Sequence, residues 1–151
     1  MCGGTVGLTR RMLEAGGCMA TLLDQPPIIL CVDDDPEARE LLPRLIHSFA
    51  PCCEIVAVET GMAALAVTAA RAVALVITDY HMPGMNGVQL TRAIKRASPT
   101  TPVAIVSVDD AGAVARQAHA AAAEYVLPKP FVLAQLKQMI GASLPSAARD
   151  P

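Results

Sequence analysis

The chain is 151 residues long, 53% hydrophobic and 17% charged, with a formal net charge of -2 and a pI near 5.9. That length holds one ordinary domain with a real core, and the composition is that of a globular chain rather than a disordered one. Direct nucleic-acid binding has no electrostatic support, and no uncharged apolar stretch approaches the roughly 20 residues that a membrane helix needs, so neither is expected as a partner.

Residues 1–26 are Gly-rich, carry an internal Met19 and lack a signal-peptide pattern; a poorly ordered extension is expected there. The five cysteines form no C-x-x-C pair and are read as reduced thiols of a cytoplasmic protein. His47, His81 and His119 lie too far apart in sequence for a local metal motif.

From Ile28 the pattern becomes regular. Ile28 to Val32 reads as a buried strand ending in Asp33-Asp34-Asp35-Pro36. Ala38, Leu41, Leu42, Leu45, Ile46 and Phe49 then recur at helical spacing, with Asp35 as N-cap and Pro36 at the first helical position. Pro43 predicts a kink or a later start, because an interior proline costs about 3 kcal/mol. Glu54 to Val58 is a short strand and Met62 to Ala70 a helix. Val73 to Thr78 is a second fully buried strand, closed by Asp79 and a Pro/Gly/Asn turn. A helix follows from Gly87 to Ala97, a strand from Val103 to Val106 ending at Ser107, and a loosely held alanine-rich helix from Ala111 to Ala121. Tyr125 to Leu127 is the last strand. Lys129-Pro130 makes a turn, and Phe131 to Ser143 forms a final helix with Leu133, Leu136, Met139 and Ile140 inward.

Strands alternating with helices imply an α/β fold, a five-stranded parallel sheet with helices on both faces. An Asp before Met-Pro-Gly can simply cap a turn. Parallel sheets also keep their reactive groups beyond the carboxyl ends of their strands. Asp33 and Asp34, Asp79, Ser107 and Lys129 all stand at such ends and describe one pocket. Its carboxylates repel one another, and Mg²⁺, a hard cation that takes further oxygen from a phosphate, resolves the conflict. With a lysine and a hydroxyl beside it, the set suits phosphoryl transfer with Asp79 as the nucleophile.

V-D-D-D-P at Val32 to Pro36, D-Y-H-M-P-G-M-N-G at Asp79 to Gly87, Ser107, and K-P-F at Lys129 to Phe131 resemble the receiver domains of two-component response regulators, including the stand-alone chemotaxis type. The resemblance covers about Ile28 to Ser143. It implies the flavodoxin-like receiver fold with strand order 2-1-3-4-5, a receiver domain over residues 27–144, a short tail over 145–151 and no output domain. It further implies Asp79 as phospho-acceptor, with Asp34, Asp79 and the backbone carbonyl of His81 as Mg²⁺ ligands. Asp33 would act through a metal-bound water, Ser107 and Lys129 would hold the phosphoryl oxygens, and the Lys129-Pro130 peptide would be cis. His81 and Asp109 occupy places that tune dephosphorylation in the family.

Two positions depart from the family pattern. Val108 stands where a small residue is usual, and Val126 holds the place of the switch aromatic, with Tyr125 one residue earlier. Alternation along a strand turns Tyr125 to the other face, so Val108, Tyr125 and Val126 are the candidates for an altered switch. The expected function is a single-domain regulator that takes phosphoryl from a histidine kinase or phosphotransfer protein and signals in trans to an unknown downstream protein. It is a phosphoryl acceptor with slow self-dephosphorylation rather than a turnover enzyme. The alternative is a phosphorylation-independent receiver-like interaction module; a small phosphatase is disfavoured because no insertion is long enough to build a substrate cap.

Overall fold

The computed structural model describes residues 25–109 and 111–144. The expected extension, save its last two residues, and the tail from residue 145 lie outside the described residues. The elements alternate as β1 (Ile28–Val32), α1 (Pro36–Phe49), β2 (Glu54–Val58), α2 (Gly61–Ala70), β3 (Val73–Asp79), α3 (Gly87–Ala97), β4 (Val103–Ser107), α4 (Ala111–Ala120), β5 (Tyr125–Pro128) and α5 (Leu133–Ser143). All strand pairs are parallel and the sheet order is β2-β1-β3-β4-β5.

β1 and most of β3 and β4 are buried on both faces, which is why they read as unbroken apolar runs. Their side chains divide by alternation. Ile29, Cys31, Leu75 and Ile77 point to one face, where Ile46 of α1 and Leu136, Met139 and Ile140 of α5 cover them. Leu30, Val32 and Val76 point to the other, against Ala64 of α2 and Leu90 and Ile94 of α3. A third cluster joins Val88, Ile105, Val114, Ala118 and Ala121 under α4.

Caps set the helix starts. Asp35, Thr60 and Asn86 each accept a backbone N–H of the first turn, and Asn86 with Gln89 forms a reciprocal capping box. At the start of β4, Lys95 of α3 donates to Thr101 O at 2.7 Å and pairs with Glu124, whose second oxygen accepts from Val103 N at 2.7 Å. That clamp closes the edge of the sheet away from the Asp79 strand end.

Three expectations need correction. The later start for α1 fails: the helix runs from Pro36 to Phe49 through Pro43. Leu42, Leu45, Ile46 and Phe49 pack on the sheet, and burying a large apolar side chain contributes about 1.5–3 kcal/mol, so the stripe outweighs one missing backbone bond. Leu133 is 43% exposed rather than inward; α5 begins there, after Val132 with no side-chain cap, and its inward face starts at Leu136. Cys31 and Cys53 are free and buried as expected of thiols, but Cys52 is in a disulfide. No helix among the described residues is long and apolar enough to cross a membrane.

Candidate functional site

β1 stops at Val32 and hands its register to a three-residue turn before α1. Asp33 is buried, accepts from Asp35 N at 3.0 Å through Oδ1, and donates its own N–H to Val58 O. Asp34 is exposed beside it. β3 pairs with β1 up to Thr78 and Val32, which brings Asp79, one residue on, level with Asp33. Carboxylate oxygens of Asp33, Asp34 and Asp79 all lie within 4.8 Å of one another.

Lys129, just past β5, completes the cluster. Its Nζ donates to Asp79 Oδ1 at 2.8 Å and to Asp33 Oδ2 at 3.1 Å. The Lys129 N–H donates to Ser107 O at 2.7 Å, and the Lys129-Pro130 peptide is cis. Burial raises the Asp79 carboxyl above the ordinary carboxylate range; Lys129 opposes the rise through its bond and charge, and the charges of Asp33 and Asp34 reinforce it. Burial pulls the Lys129 ammonium down, but its bonds and charge interactions with Asp79 and Asp33 outweigh that and leave it above the ordinary lysine value.

The rim is set by two glycines and two loops. Gly84 takes a φ of 79° in the turn after β3, a conformation that side chains resist. Gly87 donates its N–H to Tyr80 O at 2.9 Å, and a Cβ there would lie 2.4 Å from Asp79 O. α3 therefore starts against the backbone of Asp79. His81 Nε2 lies 2.5 Å from Asp109 Oδ2, bridging the loops after β3 and β4. Ser107 is buried, and its Oγ accepts from Asp109 N at 3.1 Å.

A family model described as the response regulator receiver domain matches residues 29–141. The chain belongs to the response regulator receiver domain family. This receiver domain is similar to the response regulator protein FleR of Pseudomonas aeruginosa, 36% identical over 133 residues, 81% of this chain and 26% of that protein. It resembles the sensor protein GacS of Pseudomonas syringae pv. syringae, 32% identical over 135 residues, 86% of this chain and 15% of that protein. Against the two-component response regulator ARR16 of Arabidopsis thaliana it is 30% identical over 132 residues, 77% of this chain and 79% of that protein. The chain thus spans well under a third of the two bacterial proteins and most of the plant one. Its fold matches the chemotaxis response regulator CheY4 of Vibrio cholerae with a TM-score of 0.71 at 23% identity, over 80% of this chain and all of that one.

Receiver domains accept a phosphoryl group on an aspartate in two-component signalling and have weak autophosphatase activity. They typically bind Mg²⁺ at an acidic cluster. The donor set here fits such an ion, since three hard carboxylate ligands converge within 4.8 Å.

The expected switch residues separate. Val108 is 71% exposed at the rim. Tyr125 packs with the α1 and α5 cluster, whereas Val126 packs under α4, as alternation requires. Two further side chains at the site were not singled out from the sequence. Tyr80, next to Asp79, packs in the α4 cluster with Val126 and donates its hydroxyl to Gln117 Oε1 of α4 at 2.9 Å. Arg39 of α1 donates to the carbonyls of Asp33 and Asp34. A signal for Arg39 was its place one turn past the acidic run; for Tyr80, only its adjacency to Asp79.

Proposed function

We propose that this receiver domain accepts a phosphoryl group on Asp79 from the phosphohistidine of a histidine kinase or phosphotransfer protein. One observation carries the reading: three carboxylates from two strand ends converge within 4.8 Å while Lys129 contacts both Asp79 and Asp33. An oxygen of Asp79 forms the new O–P bond as the N–P bond of the donor breaks, its electron pair returning to the imidazole nitrogen.

Asp34, Asp79 and the His81 carbonyl would hold Mg²⁺ directly and Asp33 through a water; bound there, the ion supplies positive charge to the phosphoryl oxygens. Lys129 offers a point charge and Ser107 a hydroxyl to those oxygens. Lys129, with two N–H donors on Asp79 and Asp33, keeps a third for the arriving group, and the Ser107 hydroxyl can donate its O–H while its oxygen accepts from Asp109 N–H. The His81–Asp109 pair spans the loops that flank Asp79, so it tunes the access of water to the acyl phosphate.

Output runs to α4 and is read by another protein in trans. With Tyr125 packed on the opposite face, Tyr80 is the aromatic side chain placed to carry the change, through its hydroxyl on Gln117. The stand-alone reading draws support from the plant relative, of which the chain spans 79%. The placement of Tyr125 and the exposure of Val108 favour a second reading, a phosphorylation-independent interaction module.

An amide NMR titration with beryllofluoride and Mg²⁺, on wild type and Asp79→Asn, separates them. The acceptor reading expects saturable Mg²⁺-dependent shifts in wild type alone, extending from the pocket to α4. No shifts in wild type would leave the interaction module. Incorporation of phosphoryl by Asp79→Asn at the wild-type rate would remove the acceptor assignment.

A further inference from the structure

The acidic turn between β1 and α1 carries its ligands on a short stretch of backbone, and one side chain outside the cluster grips that backbone. Arg39 Nη1 donates to Asp33 O at 3.0 Å and to Asp34 O at 2.8 Å. Its Nη2 lies 3.5 Å from Glu59 Oε2, just past β2. The guanidinium and Lys129 thus divide the work. Lys129 takes carboxylate oxygens of Asp33 and Asp79, while Arg39 takes the carbonyls of Asp33 and Asp34 and pairs its charge with Glu59.

We propose that Arg39 is the positioning residue of the acidic site, fixing the Asp33–Asp34 backbone and thereby setting the affinity of the site for a divalent cation. This role rests on the reading of that cluster as a Mg²⁺ site. A charge-assisted bond to a carbonyl is roughly twice as strong as a neutral one, and two of them from one nitrogen define how adjacent peptide planes are turned. The Asp33 N–H on Val58 O, the Asp35 N–H on Asp33 Oδ1 and the Lys129 ammonium on Asp33 Oδ2 also restrain the turn; the Asp35 bond already holds the peptide plane that carries the Asp34 carbonyl, so Arg39 acts chiefly on the Asp33–Asp34 plane. Without Arg39 the Asp33–Asp34 plane loses the bond to its carbonyl and the Asp34–Asp35 plane is left with the Asp35 N–H bond, which loosens the common focus of the carboxylates. Lysine cannot replace it, because a single ammonium on a flexible stem does not reach both carbonyls and Glu59 at once.

The test measures Mg²⁺ affinity by isothermal titration calorimetry on wild type, Arg39→Ala, Arg39→Lys and Glu59→Gln, together with the dependence of phosphorylation rate on Mg²⁺. Partners that orient metal ligands are worth about ten- to a hundredfold in affinity. Arg39→Ala is expected to lose that much, with its rate recovering as Mg²⁺ is raised; Arg39→Lys falls between, and Glu59→Gln stays near wild type. Wild-type affinity in Arg39→Ala overturns the proposal, as does a rate that stays low at saturating Mg²⁺ alongside a lowered melting temperature. If Arg39→Ala does not fold, a weakened Arg39→Lys beside an unaffected Glu59→Gln supports the role, and equal affinities overturn it. Failure of wild type itself to bind Mg²⁺ removes the metal reading and the role together, and is seen without any variant.

Discussion

Lys129 Nζ stands 2.8 Å from Asp79 Oδ1 although 50 positions separate the two in sequence. The ammonium opposes the effect of burial on the carboxyl, so its removal is expected to push the Asp79 pKa higher still. Lys129→Met is therefore expected to titrate Asp79 at a higher pH than wild type, read by carbon NMR of the side-chain carboxyl. It is also expected to cost about 1–3 kcal/mol in urea unfolding, since Asp33 and Asp79 both lose a charged partner.

Asp79 itself gives stability a pH dependence. A carboxyl whose folded pKa lies above its unfolded value binds protons more tightly when folded, so its contribution is present at low pH and is lost as pH rises through the folded value. In metal-free buffer, Asp79→Asn is expected to melt higher than wild type at pH 7. The gain should vanish below the ordinary carboxylate range, where the wild-type carboxyl is protonated as well. An unchanged difference across that window would mean that the gain does not come from Asp79 ionisation.

The Tyr80–Gln117 hydrogen bond joins the residue after Asp79 to α4. Tyr80→Phe keeps the ring in its cluster and removes the hydroxyl, with an expected stability cost of about 0.5–1.5 kcal/mol. Under beryllofluoride and Mg²⁺, pocket amides should shift as in wild type while α4 shifts shrink. Gln117→Ala should do the same, and the double variant should be no worse than either alone. Full α4 shifts in Tyr80→Phe would place the coupling elsewhere.

Gly87 is required by close approach. With a Cβ 2.4 Å from the Asp79 carbonyl, either α3 or the backbone of Asp79 has to move. Gly87→Ala is expected to lose about 1–3 kcal/mol, the scale of overpacking, and to weaken Mg²⁺ binding by displacing Asp79. Urea unfolding and metal titration check the two effects separately.

Ala122 ends α4 with φ 64°, while Ala123 N bonds Ala118 O and Ala122 N bonds His119 O. This is a Schellman turn with alanine where glycine is favoured. The left-handed conformation costs a residue with a Cβ roughly 1–2 kcal/mol, partly offset by the greater freedom of unfolded glycine. Ala122→Gly is expected to raise stability by about 0.5–1 kcal/mol in urea unfolding.

The strand-end residues were legible because chain order and alternation suffice for them. Asp33 and Lys129 directly follow a strand and Asp79 and Ser107 end one, and parallel strands with right-handed crossovers deliver those ends to one edge. The facing of Tyr125 followed from the same two-residue period. What could not be read depended on where long side chains go after the backbone is placed.

The grip of Arg39 on two carbonyls, the reach of Tyr80 to Gln117 and the outward turn of Leu133 have no periodic signature. α1 continues through Pro43 because packing against the sheet exceeds the local preference, a comparison that needs the neighbours in place. The amino-acid order by itself determined which elements form and which strand ends carry charge, since periodicity and capping act within a few residues. The tertiary structure decided which of those charges touch, because hydrogen bonds between distant elements depend on ångström-scale positions that local sequence does not encode.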